Sequence, residues 1–142
     1  MSAIRRSAAA AGVSLAVTVL LSGCFACTTI GYVNSDPAII ELDDELSGDA
    51  SIAACFGELC DAAPLPREDG LRWTVPQEPP YVADELVVLG GERTLRVVVA
   101  NANGETVIDA PYEIPVKVQR SGWFGQCSGP VSFLPVKVSL VD

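Results

Sequence analysis

Short apolar and β-branched runs, separated by Gly, Pro, Asn and Asp, make up the chain after residue 27. No stretch combines a helical period with capping residues, although residues 81–91 have room for one helical turn. Runs of this length and composition predict β-strands. The predicted strands are Thr29–Val33, Ala38–Leu42, Ser51–Cys55, Leu71–Val75, Glu85–Leu89, Leu95–Ala100, Thr106–Ile108, Glu113–Val118 and Val131–Val141.

Turn residues and prolines refine this pattern. Asn103-Gly104 lies between two predicted strands and favours a type I′ hairpin, because both residues tolerate positive φ. Lys117 and Lys137 alternate with valines, which predicts that both lysines point to solvent. The prolines are expected at sheet edges, at bulges or on the surface, because proline has no N–H to donate to a strand ladder.

About eight short strands in one domain predict an all-β fold, and we expect an antiparallel β-sandwich of immunoglobulin-like or transthyretin-like type. The immunoglobulin sequence signature is not satisfied. Trp73 lies 18 residues after Cys55, and Gly125 occupies the position two residues before Cys127 where a tyrosine is expected. The fold prediction therefore depends on strand number and turn chemistry.

The N-terminus has the organisation of an export signal. A short cationic segment, MSAIRR, precedes the apolar segment Ser7–Leu21, which predicts a signal-peptide helix. The segment ends in Leu21, Ser22, Gly23 and Cys24: an aliphatic residue, two small residues and a cysteine. This ending resembles the lipobox of bacterial lipoproteins.

The resemblance covers the first 24 residues and implies a defined processing route. Residues 1–23 would be the signal peptide, with Leu21, Ser22 and Gly23 recognised by signal peptidase II, and Cys24 would carry diacylglycerol. Residues 24–142 would then form one lipid-anchored domain on the extracytoplasmic face of the cell membrane, with palmitate-type acyl chains as its anchor. An uncleaved signal anchor and ordinary secretion are the alternatives.

Four cysteines remain once Cys24 is assigned to lipid, and an even number in an exported chain predicts two disulfides. Cys55 and Cys60 enclose a short segment containing Gly57, which suits a local bridge and leaves Cys27 to pair with Cys127. Sequence alone leaves three pairings open. A redox or metal role for Cys55 and Cys60 is the functional alternative, but no second pair or histidine accompanies them.

Charge and composition exclude several function classes. From Cys24 onward there are seven basic and 18 acidic side chains, which makes the net charge −11. This argues against nucleic acid or an anionic lipid surface as a partner. The absence of histidine excludes Ser-His-Asp and Cys-His catalysis and His-ligated metals.

Two segments are candidates for binding. Residues Glu41–Asp49 gather five acids, but the EF-hand template places Ala54 where a bidentate Glu is needed, so we expect a solvated acidic turn, with a weak Ca²⁺ site as the alternative. Trp123 and Phe124 lie between glycines and form a possible binding loop. We favour packing of one of them against the Cys127 disulfide, and we expect Trp73 to be buried.

Catalytic signals are weak. The paired acids Asp43/Asp44 and Asp84/Glu85 are present, but no nucleophile elbow or phosphate loop accompanies them. We therefore expect a non-catalytic, cofactor-free lipoprotein that binds a protein or polymer partner at the cell envelope. The alternatives are a small carboxylate-dependent envelope enzyme and a signal-anchored structural protein.

Overall fold

The computed structural model describes residue 27 and residues 31–68, 70–83 and 92–140. Within these residues the protein is all-β and contains no helix, as the sequence predicts for its fold class. None of them forms a helix of sufficient length and hydropathy to cross a membrane. The predicted signal helix and the predicted strand Glu85–Leu89 lie outside the described residues. Of the predicted strand Thr29–Val33, residues 29 and 30 also lie outside them, but residues 31–33 are described and form no strand, so the prediction is wrong for them.

Nine strands are present in the described residues. They are β1 (Ala38–Leu42), β2 (Ser51–Phe56), β3 (Ala63–Pro64), β4 (Arg72–Val75), β5 (Thr94–Ala100), β6 (Thr106–Glu113), β7 (Val116–Ser121), β8 (Cys127–Phe133) and β9 (Val136–Val138).

The strands form two core sheets and a separate ribbon. One core sheet has the order β4-β1-β9 and the other has the order β3-β2-β5-β6. The paired strands run antiparallel except for β1 and β9, which are parallel, with Ile40 opposite Val136. The sequence did not predict this parallel pair, because strand periodicity carries no information on direction.

Alternate side chains of both core sheets enter one hydrophobic core. Along β5 the buried positions are Leu95, Val97 and Val99, and the intervening residues are half exposed. The same period of two appears in β1 and β9, as expected for strands with one face buried. Trp73 is 3 % exposed and lies in this core, which confirms its predicted burial.

The hairpin between β5 and β6 is present, but the predicted turn type is wrong. Asn103 does not have positive φ, whereas Gly104 has φ of 80°. The N–H of Gly104 donates to the carbonyl of Asn101 at 2.9 Å, and the Asn101 side chain accepts from the N–H groups of Asn103 and Glu105. The side chain of Asn101 thereby stabilises a longer turn that ends in a glycine bulge.

Two predicted strands are each divided by a proline. The predicted strand Glu113–Val118 is broken at Ile114 and Pro115. The predicted strand Val131–Val141 is broken at Leu134 and Pro135. At both breaks the chain passes between a core sheet and the β7–β8 ribbon, and the N–H of Leu134 donates to the carbonyl of Pro115 at 2.8 Å. Pro115 follows the end of core-sheet pairing in β6, and Pro135 follows the end of ribbon pairing in β8. Neither proline has an N–H to offer a strand ladder.

Prolines also occupy the edges of the second core sheet, as predicted. Pro64 lies in β3 and Pro111 lies in β6, and these are the two edge strands of that sheet. An edge strand has one row of backbone groups without a neighbouring strand, so proline costs no ladder bond there.

The structure contains both predicted disulfides. Cys27 bonds Cys127 across 100 residues of sequence, and their Cα atoms are 5.4 Å apart. Cys55 bonds Cys60 across a local turn, with a Cα separation of 6.0 Å. The predicted pairing is confirmed, and the separations lie in the usual range for disulfides.

Candidate functional site

The tip of the β7–β8 ribbon is a compact turn that displays two aromatic side chains. Residues 122–126 connect the last paired residues, Ser121 and Cys127. Gly122 and Gly125 have φ of 87° and 65°, and the N–H of Gly125 donates to the carbonyl of Gly122 at 3.1 Å. Both glycines adopt backbone conformations that residues with a Cβ rarely adopt, and the aromatic pair occupies the two positions between them.

Trp123 and Phe124 are 92 % and 89 % exposed. The expectation that one of them packs against the Cys127 disulfide is wrong. That expectation treated the two residues as strand neighbours pointing to opposite faces, but they are the central residues of a turn and both point outward. Their exposure favours the alternative sequence interpretation, a binding loop.

The tip is held in one arrangement by its neighbours. The Gln126 side chain accepts a hydrogen bond from the N–H of Phe124 at 2.9 Å. A Cβ added at Gly122 would lie 2.9 Å from the Gln126 amide, so the side chain fills the space that the glycine leaves. The Trp123-Phe124 pair is therefore carried by an ordered turn.

The long-range disulfide reaches the ribbon next to this tip. Cys127 is the first residue of β8 and pairs with Ser121 across the ribbon. Its bond to Cys27 places Cys27 at the end of the ribbon that carries the tip, with 5.4 Å between the Cα atoms of the two cysteines. The Cys27–Cys127 bridge and the aromatic loop therefore lie at the same end of the ribbon, although neither aromatic ring is buried by the bridge.

A concave surface lies where the ribbon leaves the core sheets. It is an open groove of about 510 Å³ whose walls are mainly apolar. The Phe133 ring beside this junction lies 6.4 Å from the buried Phe56 ring, which packs the ribbon base on the core. The groove was not predicted from the sequence, because two predicted strands were continued through Pro115 and Pro135. Both prolines line the groove. The groove residues are Glu41, Tyr112, Glu113, Pro115, Leu134, Pro135, Val136 and Lys137.

The acidic segment Glu41–Asp49 contributes a structural contact. The Asp43 carboxylate accepts hydrogen bonds from the Ser139 hydroxyl and from the N–H of Leu140, the latter at 2.8 Å. These bonds, that of Ser139 first, lower the pKa of Asp43 from its ordinary value of 3.8. In the part of the chain that the structure describes, no three acidic or cysteine side chains are grouped as metal ligands.

A second shifted carboxyl group lies on the outer face of the second core sheet. Arg96 makes a two-pronged ion pair with Asp109, at 2.8 and 2.9 Å, and its third nitrogen donates to the carbonyl of Cys60 at 2.9 Å. Hydrogen bonding to Arg96 lowers the pKa of Asp109. This side chain therefore ties the Cys55–Cys60 loop to strands β5 and β6.

The remaining sequence candidates are placed as follows. Lys117 and Lys137 are exposed, as predicted. The pair Asp84/Glu85 and the lipobox residues Leu21, Ser22, Gly23 and Cys24 lie outside the described residues. Their roles stay predictions.

Comparison of the chain with models of known protein families, with curated proteins and with solved structures finds no match. Inference about function therefore depends on this chain's own residues.

Proposed function

We propose that this chain is a lipid-anchored extracytoplasmic protein, held in the cell membrane by a diacylglyceryl group on Cys24. The observation that carries the proposal is the use of the five cysteines. Two disulfides account for Cys27, Cys55, Cys60 and Cys127, so Cys24 takes part in neither bridge. It is also the cysteine that follows the lipobox-like Leu21-Ser22-Gly23.

The two disulfides support the extracytoplasmic location. Disulfides persist in oxidising compartments and are rare in the reducing cytosol. The cationic and apolar segments at the N-terminus provide an export signal of the right order and length. Two or three acyl chains on one cysteine are sufficient to hold a soluble domain at a membrane, since each buried CH₂ contributes about 0.8 kcal/mol.

We further propose that the folded domain is a non-catalytic, cofactor-free binding module at the cell envelope. The exposed Trp123-Phe124 tip supports a binding role, because aromatic side chains presented on an ordered turn supply contact area at low entropic cost. The resolved pKa shifts of carboxyl groups, at Asp43 and Asp109, are both downward and arise from structural hydrogen bonds. The proposal includes an immunoglobulin-like or transthyretin-like sandwich, and the shared core of the two sheets supports it.

Intact mass spectrometry of the membrane-extracted protein tests the anchor. We expect a mature chain that starts at Cys24 and carries the mass of diacylglycerol, with or without an N-linked acyl chain. Inhibition of signal peptidase II should leave the lipid in place and retain residues 1–23. A Cys24→Ala variant is the matched control and should carry no lipid mass.

A mature protein that begins at an unmodified residue other than Cys24 would contradict the proposal. Retention of the full N-terminal segment without lipid would instead support the uncleaved signal anchor.

A further inference from the structure

We propose that Trp123 and Phe124 insert into the interfacial layer of the bilayer that holds the Cys24 lipid, so that the ribbon tip is a second membrane contact. This inference rests on the proposed lipid anchor and names the partner of the ribbon tip. Four observations lead to it: the order of the tip, its distance from Cys24, its charge and its chemistry.

The ordered tip has a shape suited to insertion. Trp123 and Phe124 are the two outermost residues of a four-residue turn closed by the Gly122–Gly125 hydrogen bond. The aromatic rings do not fold back over the ribbon, because both side chains are about nine-tenths exposed. The exposed aromatic surface is therefore presented outward at the end of the ribbon.

Covalent geometry keeps the tip close to the lipid. Only Phe25 and Ala26 separate Cys24 from Cys27. Three residues span at most about 11 Å, and the Cα atoms of Cys27 and Cys127 are 5.4 Å apart, so the Cα atoms of Cys24 and Cys127 lie within about 16 Å. A bilayer that holds the acyl chains of Cys24 is then within reach of a tip only a few residues from Cys127.

Basic and acidic side chains are distributed unevenly along the chain, as expected if the ribbon faces the membrane. The ribbon and its two junctions, residues 114–135, contain Lys117 and Arg120 and no acidic residue, whereas residues 24–113 contain four basic and 17 acidic side chains. The negative charge that argues against an anionic surface therefore lies outside the ribbon, because residues 24–113 alone have a net charge of −13 (4 − 17). Arg120 lies beside the tip. A Cβ built on Gly125 would be 3.6 Å from the Cβ of Arg120. An anionic membrane attracts the ribbon and repels the rest.

The residue types fit the bilayer interface. Tryptophan is enriched at the level of the lipid headgroups, because its ring is apolar while its N–H still reaches water. Apolar side chains of interfacial segments enter the boundary between headgroups and acyl chains to a depth of about 5–10 Å. A Trp-Phe pair with an adjacent arginine matches this layered environment.

Quenching of tryptophan fluorescence by brominated lipid tests the contact. The full-length lipidated protein is reconstituted into vesicles of phosphatidylcholine and phosphatidylglycerol, with and without bromine on the acyl chains. The chain has two tryptophans, and Trp73 is buried in the core. We expect brominated lipid to reduce the tryptophan emission of the wild-type protein by the share that Trp123 contributes. The emission of the Trp123→Ser variant, which comes from Trp73, should be the same in brominated and plain vesicles.

A matched variant controls for nonspecific proximity to the vesicle. Asn103 is exposed in the β5–β6 turn, at the end of β6 opposite to the end from which the ribbon leaves. In the Trp123→Ser background, Asn103→Trp should produce an exposed tryptophan that bromine does not quench. Mass spectrometry of each sample reports the lipid on Cys24 independently.

The outcomes separate the two proposals. Lipid on Cys24 together with equal emission in brominated and plain vesicles would overturn tip insertion and leave the anchor intact. A blue-shifted Trp123 emission that bromine fails to quench would assign the tip to a protein surface instead. Absence of lipid on Cys24 would overturn the anchor and tip insertion with it.

Discussion

Asp43 shows how one exposed acid can join distant parts of the chain. Its carboxylate accepts from Ser139 and Leu140, which are 96 and 97 residues away in sequence and follow β9. The bonds stabilise the charged form, which lowers the pKa below that of the unfolded chain. The stabilisation is therefore complete above the unfolded pKa and is lost as the pH falls through the folded pKa.

Replacement of Asp43 by Asn should lower the melting temperature at pH 7, because a neutral amide accepts these hydrogen bonds less strongly. The difference from wild type should shrink as the pH falls below 3.8, the ordinary pKa of the group. Circular dichroism melts at several pH values measure this. Asp49→Asn is the control, because it removes a charge from the same acidic segment and leaves the hydrogen bonds to Asp43 in place. Equal losses of melting temperature in the two variants would contradict the Asp43 contact.

Two leucines provide a second comparison at the residue scale. Leu95 is fully buried in β5, whereas Leu59 is 97 % exposed in the Cys55–Cys60 loop. Leu95→Ala should lower the free energy of unfolding by about 2–5 kcal/mol through lost burial and a cavity. Leu59→Ala should change it by less than about 0.5 kcal/mol. Urea denaturation of both variants checks the pair, and similar losses would contradict the described core.

The two tryptophans mark how far single residues could be predicted. The predicted burial of Trp73 is confirmed, and Val75, two residues further along β4, is buried as well. Trp123 has no such pattern around it, because residues 122–126 form a turn whose geometry depends on two glycines and one glutamine side chain. Its exposure could not be derived from alternation.

At the scale of elements, strand existence was more predictable than strand ends. The predicted strand Ala38–Leu42 agrees with β1 at both ends, and its side chains alternate between buried and half-buried. The ribbon was not predicted, because proline permits an edge strand, a bulge or a break, and only tertiary pairing decides among them. The groove at the ribbon base was missed for the same reason.

The ribbon tip allows a prediction about a single turn. Gly122→Ala should lower the free energy of unfolding by about 1–2 kcal/mol, because a residue with a Cβ is strained at positive φ. The new Cβ would also collide with the Gln126 side chain. Urea denaturation measures the loss.

Gly31→Ala is the matched control for this substitution. A Cβ at Gly31 would meet nothing within 4 Å, so its effect should be close to zero. A Gly122→Ala variant as stable as Gly31→Ala would contradict the described turn.

At the scale of the whole molecule, the disulfides differ in the length of chain they close. Replacement of Cys27 and Cys127 by Ala should cost about 4–5 kcal/mol, because the bridge restricts about 100 residues of the unfolded chain. Replacement of Cys55 and Cys60 by Ala should lower the free energy of unfolding by only about 2 kcal/mol, because this bridge closes a short loop. Denaturant unfolding of the two double variants gives the comparison, and the reverse order would contradict the entropic account.

The overall class was within reach of the sequence, while its spatial arrangement was not. Turn residues at short intervals predicted an all-β chain, and an even number of cysteines predicted two bridges. The parallel pairing of β1 with β9 joins segments at opposite ends of the described chain and depended on which strands meet across long separations. Single-sequence periodicity does not encode those pairings.

The Cys27–Cys127 bond also determines how the molecule transmits mechanical force. Tension applied between the two ends of the chain enters at Cys27, crosses the sulfur bridge and continues through residues 127–142. The 99 residues between the two cysteines stay outside the path of tension. Strands β8 and β9 bear the pull, and the sheet β3-β2-β5-β6 is shielded from direct extension.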